Sequence, residues 1–178
     1  MIYTIGHSTH SAETFIGLLR AHQIARVADV RTIPRSRRHP HFSQDSLAAF
    51  LPRAGIAYRH FPALGGLRKP SRDSQNTAWR HPSFRGYADY MQTPAFRCGV
   101  EALLEFCGAP SDFPLALRTA VMCAEAVWWR CHRRLLADAL VVRGVSVRHI
   151  TSPAEANPHQ LSEFARPEGD GVTYPGLL

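Results

Sequence analysis

The sequence has a single lysine, Lys69, among its 178 residues, and no apolar run near the ~20 residues that cross a bilayer. Its first residues, Met1-Ile2-Tyr3-Thr4-Ile5-Gly6-His7, have neither the basic start nor the long apolar stretch of an export signal. The expectation is a protein of the cytoplasm with no membrane partner. Cysteine is also sparse. Cys98, Cys107, Cys123 and Cys131 contain no C-x2-C pair, so neither a structural zinc site nor a disulfide framework is read from their spacing. In a reducing compartment they are four thiols. Internal repeats and low-complexity tracts are absent as well.

What is present is globular. Hydrophobic residues make up 45 % and charged residues 20 %, enough for one core without covalent staples. The expectation is a single α/β domain over 1–178, with 151–178 as a polar, proline-rich arm packed on it and showing no clear core face. The net charge of +7 is local. Residues 31–72 carry nine basic groups (Arg31, Arg35, Arg37, Arg38, Arg53, Arg59, Arg68, Lys69, Arg72) against the single acid Asp45. Such clustering points to an anionic ligand, a nucleotide or a nucleic acid. The bland alternative is a solvated basic face.

Apolar patterning places strands at Met1–Gly6, Ala25–Val30, Ala57–Pro62, Pro114–Met122 and Val145–Ile150. Between them come helices capped by Ser11 and Ser43, a polar loop from Gly65-Gly66, a helical stretch 84–106 interrupted at Pro94, and a helix over Trp128–Val142. The alternation predicts a three-layer α/β sandwich with a mostly parallel five-stranded sheet, Rossmann-like, plus the C-terminal arm. In such sheets ligands bind beyond the strand carboxyl ends.

The residues following each strand are therefore the candidates. His7 and Ser8 follow the first. Asp29, Arg31, Arg35 and Arg37 close or follow the second. Cys123 and Glu125 end the fourth, with Cys131, His132 and Arg133 a few residues on. Cys123, before a helix start and near basic residues, suits a nucleophilic thiolate, or else fills the last inward strand position. Glu125 suits a general acid or base, or else complements a helix dipole. His7 and Asp29 could assist proton transfer, and Ser8, Arg31, Arg35, Arg37, Cys131, His132 and Arg133 could bind substrate. Asp29 and Arg31 could equally form a plain ion pair. Trp128 and Trp129 either pack or stack on a base.

The cysteine-phosphatase spacing fails, because Trp129 stands where its arginine would. Cys123-Ala124-Glu125 is similar to the Cys-x-Glu element of zinc nucleoside deaminases, but their later Pro-Cys-x-x-Cys is missing. Cys131 and His132, as neighbours on a helix start, should diverge by about 100°. The sequence accordingly assigns no metal and no cofactor.

Taken in order, Thr4-Ile5-Gly6-His7-Ser8, Asp29-Val30-Arg31, Pro34-Arg35-Ser36-Arg37, Pro62-Ala63-Leu64-Gly65-Gly66, Cys123-Ala124-Glu125 and Cys131-His132-Arg133 resemble a bacterial family known as domain of unknown function 488. Phe164-Ala165-Arg166 and Thr173-Tyr174-Pro175 resemble its tail. The resemblance implies one α/β domain, with no established activity to carry over, and a tail that belongs to the fold. That tail, carrying His159 and Tyr174, could close over the strand ends as a lid.

The functional expectation is an enzyme acting on a nucleotide or nucleic acid in a pocket at the strand ends. Two alternatives stay open: a non-catalytic nucleic-acid binding module using the basic 31–72 segment, and a thiol sensor using Cys123 and Cys131.

Overall fold

The computed structural model describes residues 1–35, 38–108 and 117–176. Strands β1 (Ile2–Gly6), β2 (Ile24–Asp29), β3 (Ala57–His60), β4 (Arg118–Cys123), β5 (Val147–Ile150) and β6 (Ala156–Pro158) form one sheet, in the order β3-β2-β4-β1-β5-β6. The first five run parallel and β6 pairs antiparallel with β5. The sheet thus has six strands rather than five. The extra one is the start of the arm, whose short, exposed, proline-containing sequence carries no strand periodicity.

Helices α1 (Ala12–Ala21) and α2 (Gln44–Arg53) cover one face, with Phe15, Leu19, Leu47 and Leu51 fully buried against Ile5, Val27 and Met122. Helices α3 (Pro82–Tyr90), α4 (Pro94–Cys107) and α5 (Arg133–Val142) cover the other, where Tyr87, Val100, Leu103, Leu135 and Leu140 meet Ile2, Val121 and Cys123. Each fully buried aliphatic or aromatic side chain stabilises by about 1.5–3 kcal/mol. Alternate residues of β1 and β4 face opposite layers, so all of β1 and all of β4 beyond Arg118 are buried. Ser11, Ser43 and Thr93 accept bonds from the backbone N–H groups of Thr14, Ser46 and Phe96 and so start α1, α2 and α4. Pro94 opens α4 and separates it from α3.

Three sequence expectations change. The predicted helix over Trp128–Val142 begins only at Arg133. Trp128–Arg130 is a single 3-10 turn followed by extended backbone at Cys131. The fourth strand starts at Arg118, and the part of its predicted range over 114–116 lies outside the described residues. The arm has a core face after all. Strands β7 (Arg166–Glu168) and β8 (Gly171–Thr173) form a hairpin, and Ala165, Val172 and Tyr174 are buried in the α3–α5 layer.

Asp138, in the apolar run Leu135–Leu140, holds that arm. Its oxygens accept bonds from His159 Nε2 (2.7 Å), Ser162 N and Oγ (3.1 and 2.8 Å) and the Tyr174 hydroxyl (2.9 Å). His159 is tied in turn to His149 on β5 (2.9 Å), and His149 to Thr4 on β1 (2.7 Å). His159 and Tyr174 are thus fastened inside the fold rather than free to form a lid.

The topology also fixes where a ligand can sit. From β1 the chain leaves toward β2, and from β4 toward β5, in opposite directions along the sheet. Neighbouring β1 and β4 are therefore the switch point, and a crevice opens beyond their carboxyl ends. Gly6 stands level with Cys123, and Asp29 with Met122 and His60.

Candidate functional site

Beyond β1 and β4 the backbones stay paired for two more residues, His7 N to Cys123 O (2.9 Å) and Ser8 N to Ala124 O (3.0 Å). Gly6 permits this approach, since a Cβ there would collide with the Glu125 carbonyl. A cleft with two lobes lies over this joint. One lobe, of about 550 Å³, is floored by Cys123, Cys131 and His132 and walled by Arg31, Glu125 and Arg130. The other, of about 650 Å³, lies toward His7, Ser8, Arg35 and Arg38. Arg31, Ile33, Cys123, Ala124 and Glu125 border both lobes.

His7, Ser8, Arg31, Arg35, Cys123, Glu125, Cys131 and His132 line this cleft, whereas Asp29 and Arg133 lie buried behind it, and Ser36 and Arg37 lie outside the described residues. Their roles separate sharply. Asp29 is fully buried and all four of its acceptor positions are filled. Oδ1 takes the Arg31 backbone N–H (3.1 Å) and Nε (2.8 Å), and Oδ2 takes Arg31 Nη2 (2.6 Å) and the Tyr58 hydroxyl (2.8 Å). It has no lone pair left for a substrate proton, so the ion-pair reading holds for Asp29. Burial and the Asp29 carboxylate push the Tyr58 hydroxyl up, keeping it a donor.

Arg31 spends two further N–H groups on Phe42 O (2.8 Å) and His7 Nε2 (3.2 Å), and its guanidinium also meets the Tyr58 hydroxyl, while the residue borders the cleft. His7 Nδ1 donates to Ser8 O (3.0 Å) and its ring stacks on Phe42 at 4.2 Å. Burial, then the Arg31 charge, lowers its pKa to about 4. With both ring nitrogens engaged, His7 is a fixed neutral strut and not the proton carrier its sequence position suggests.

Arg133, expected to bind substrate, is buried instead. Its Nη2 donates to the Glu125 carbonyl and to Ala126 O (3.4 Å), fastening the 124–127 turn to α5. Arg35 and Arg38 are exposed on the second lobe. Ser8 adopts a positive φ of 49° at the same lobe. The basic stretch does not act as one face. Arg31 is consumed by Asp29, and Arg68 binds Gly65 O (3.0 Å) and lies over the Tyr90 ring at 3.5 Å.

The reactive chemistry is concentrated in Cys123, Cys131 and His132. Their Sγ and ring-nitrogen atoms lie within 4.8 Å of one another. Cys131 and His132 were expected to diverge. They converge because Cys131 is extended (φ −124°, ψ 151°) and α5 has not yet begun. His132 Nε2 donates to Val30 O (3.2 Å), which leaves the Nδ1 lone pair facing Cys131 Sγ at 3.5 Å. Gly66 makes room for that ring, since a Cβ there would collide with Nδ1.

The Cys123 S–H donates toward Cys131. That bond and the nearby Arg133 charge bring Cys131 well below the ordinary thiol range, while the same bond and burial push Cys123 up. Cys131 is thus the more acidic thiol of the pair, whereas the sequence pointed to Cys123. Glu125 lies exposed at the cleft mouth, its Oε1 accepting from Val127 N (3.2 Å).

Of the two tryptophans, Trp128 packs, stacked on His149 at 3.8 Å, and Trp129 stands 52 % exposed on the cleft rim. Ile33 and Leu67, 61 % and 74 % exposed, stand on the same rim with Phe84 and His81. Of this apolar lip only Trp129 was legible in the sequence, because exposed single hydrophobics are ordinary and α3 approaches from a distant loop.

The family model described as Domain of unknown function DUF488 matches residues 11–140. No curated protein and no solved structure matches the chain.

Proposed function

The chain belongs to the DUF488 family, whose description names no activity, and from its site we propose that it is an enzyme acting on a nucleotide or a nucleic-acid terminus bound at the strand carboxyl ends. The observation that carries this reading is the meeting of Cys123, Cys131 and His132 on the floor of a cavity of about 550 Å³. Cavities of this size hold small molecules, and perturbed titrating groups inside one are the usual mark of chemistry. The exposed guanidinium of Arg130 supplies an anion contact. Trp129, Ile33 and Leu67 offer a flat apolar lip for a base. Cys131 provides the thiolate, His132 orients it, and Glu125 at the mouth can exchange protons with substrate.

A second reading, a nucleic-acid binding module, draws on Arg35 and Arg38 beside the second lobe. It is the lesser of the two, since Arg31 and Arg68 are already committed within the fold. A thermal-shift panel of nucleotides and short oligonucleotides separates them. The enzyme reading expects stabilisation by a mononucleotide, reduced in Arg130→Ala and unchanged in Arg35→Ala/Arg38→Ala. Stabilisation by oligonucleotides alone, steeply salt-dependent and lost in the Arg35/Arg38 variant, favours the binding module. No shift with any of them removes both.

A further inference from the structure

We infer that Cys123, Cys131 and His132 form a zinc site with three protein ligands and a fourth position open to the cleft. This deepens the proposed function by naming a metal for the same pocket, and it rests on that reading only for the use made of the metal.

The geometry is that of a site already shaped for the ion. A tetrahedral Zn²⁺ with bonds of about 2.3 Å to sulfur and 2.0–2.1 Å to nitrogen sets its sulfur and nitrogen ligands about 3.6 Å apart, and two sulfurs about 3.8 Å apart. Cys131 Sγ and His132 Nδ1 are 3.5 Å apart, and all three ligand atoms fall within 4.8 Å. The Cys131–His132 pair already has the tetrahedral spacing, and bringing the ion in requires Cys123 to close by at most about 1 Å.

The imidazole is also presented as a metal ligand should be. Its remote nitrogen donates to a backbone carbonyl, Val30 O, which fixes both tautomer and ring plane. Gly66 clears the space beside Nδ1. The ligands come from three separated places, the end of β4, the extended Cys131 and the residue before α5. A Cys2His set of thiolate and imidazole donors selects a borderline-soft ion such as Zn²⁺ over Mg²⁺ or Ca²⁺.

Charge balances as well. On binding, zinc–sulfur bonds form to both sulfurs, and each S–H still present, that of Cys123 and any left on Cys131, gives its proton to solvent. Two thiolates and a neutral imidazole then cancel the ion's charge. The fourth position faces the cavity that Glu125 and Arg130 also line. Three protein ligands plus an open position is the arrangement of hydrolytic zinc, in which a bound water is acidified toward neutral pH. Substrates bearing a phosphate and an electrophilic carbon or phosphorus are the class such a site would serve.

The test is Co²⁺ and Zn²⁺ titration of the full chain, stripped of metal by a chelator and kept reduced by a phosphine. The expected result is one equivalent of Co²⁺, bound with release of one to two protons and with the intense visible bands of tetrahedral coordination and a thiolate charge-transfer band, then displaced by one equivalent of Zn²⁺. Cys131→Ser and His132→Ala should each weaken binding at least a hundredfold, and Cys98→Ser should leave it unchanged. Gly66→Ala, which leaves all three ligands in place but crowds Nδ1, should weaken it tenfold or more. Each variant's fold is checked by its circular dichroism and thermal melt.

The inference is overturned if the folded wild-type chain gives no tetrahedral spectrum, or if the spectrum survives in folded Cys131→Ser or His132→Ala. The nucleotide thermal-shift panel on the metal-free chain reads the pocket separately. Metal binding without nucleotide binding keeps the zinc site and removes the proposed substrate. Nucleotide binding without the cobalt spectrum does the reverse.

Discussion

Two buried polar clusters border the same cleft and are built from similar parts, a histidine and a pair of strongly interacting groups, yet they differ in what they have left over. In the first, around Asp29, every carboxylate lone pair, both His7 nitrogens and at least four of the five Arg31 N–H groups are spent inside the protein. In the second, Cys123, Cys131 and His132 hold one another loosely around a point none of them occupies, and that point opens on solvent. Exposure hardly separates them: Arg31 and Cys131 are each 6 % accessible. What differs is unspent bonding capacity. A saturated cluster holds a shape, whereas an unsaturated one at the floor of a cavity can take a ligand.

The largest expected effect belongs to the saturated cluster. Asp29→Asn keeps the volume but leaves the buried Arg31 charge without its counter-ion. It should cost about 3–5 kcal/mol, a fall in Tm of roughly 6–20 °C for a chain of this size. A loss under about 1 kcal/mol would mean that Arg31 is free to pair elsewhere, and the contrast between the clusters would collapse.

Next in size is a pH effect from His7. Its pKa is about 4 in the fold against 6.5 for the free group, so between these values the unfolded chain takes up a proton that the folded chain refuses. Stability therefore declines as pH falls from 6.5 toward 4, by on the order of 1–3 kcal/mol. His149, lowered by burial to about 3, adds to the same slope. Urea midpoints measured across this range should fall less steeply in His7→Asn than in the wild type.

Most of the fold was legible because it depends on periodicity and punctuation. The caps Ser11 and Ser43, the breaks at Gly55 and Pro94, and the apolar strands are local signals, and parallel β1–β5 follow from their alternation with helices. The arm was not legible. Its hold comes from one acid, Asp138, placed among leucines on α5, together with three scattered apolar contacts, and no local pattern records a partner some twenty to forty residues away. The site was legible as a set of strand exits but not as a division of labour. Asp29 and His7 have the chemistry of catalytic groups, and only Tyr58, Ser8 and Phe42 show that this chemistry is consumed. Cys131 and His132 were misplaced on a helix because Trp128–Val142 is apolar enough to continue one. The 3-10 turn and the extended Cys131 are what bring the two ligating atoms together.

A smaller effect sharpens the same comparison. Tyr58→Phe removes one of four bonds to Asp29 and leaves Arg31 in place, so it should cost about 0.5–1.5 kcal/mol in urea unfolding. In the unsaturated cluster, Cys131→Ser should change the stability of the metal-free chain by less than about 1 kcal/mol, since little is bonded there to lose. If the order of these variants were reversed, with Cys131→Ser costing more than Asp29→Asn, the thiol cluster would be the structural one.

The most direct measurement is alkylation of the native, metal-free chain by iodoacetamide, with each modified cysteine located by peptide mass spectrometry. Cys131 should react at neutral pH despite its low accessibility, because the cavity admits the reagent and the thiol is held below its ordinary range. His132→Ala should slow it, and Cys107, pushed up by burial, should stay protected. Labelling confined to the exposed Cys98, with Cys123 and Cys131 untouched until the chain unfolds, would contradict the account.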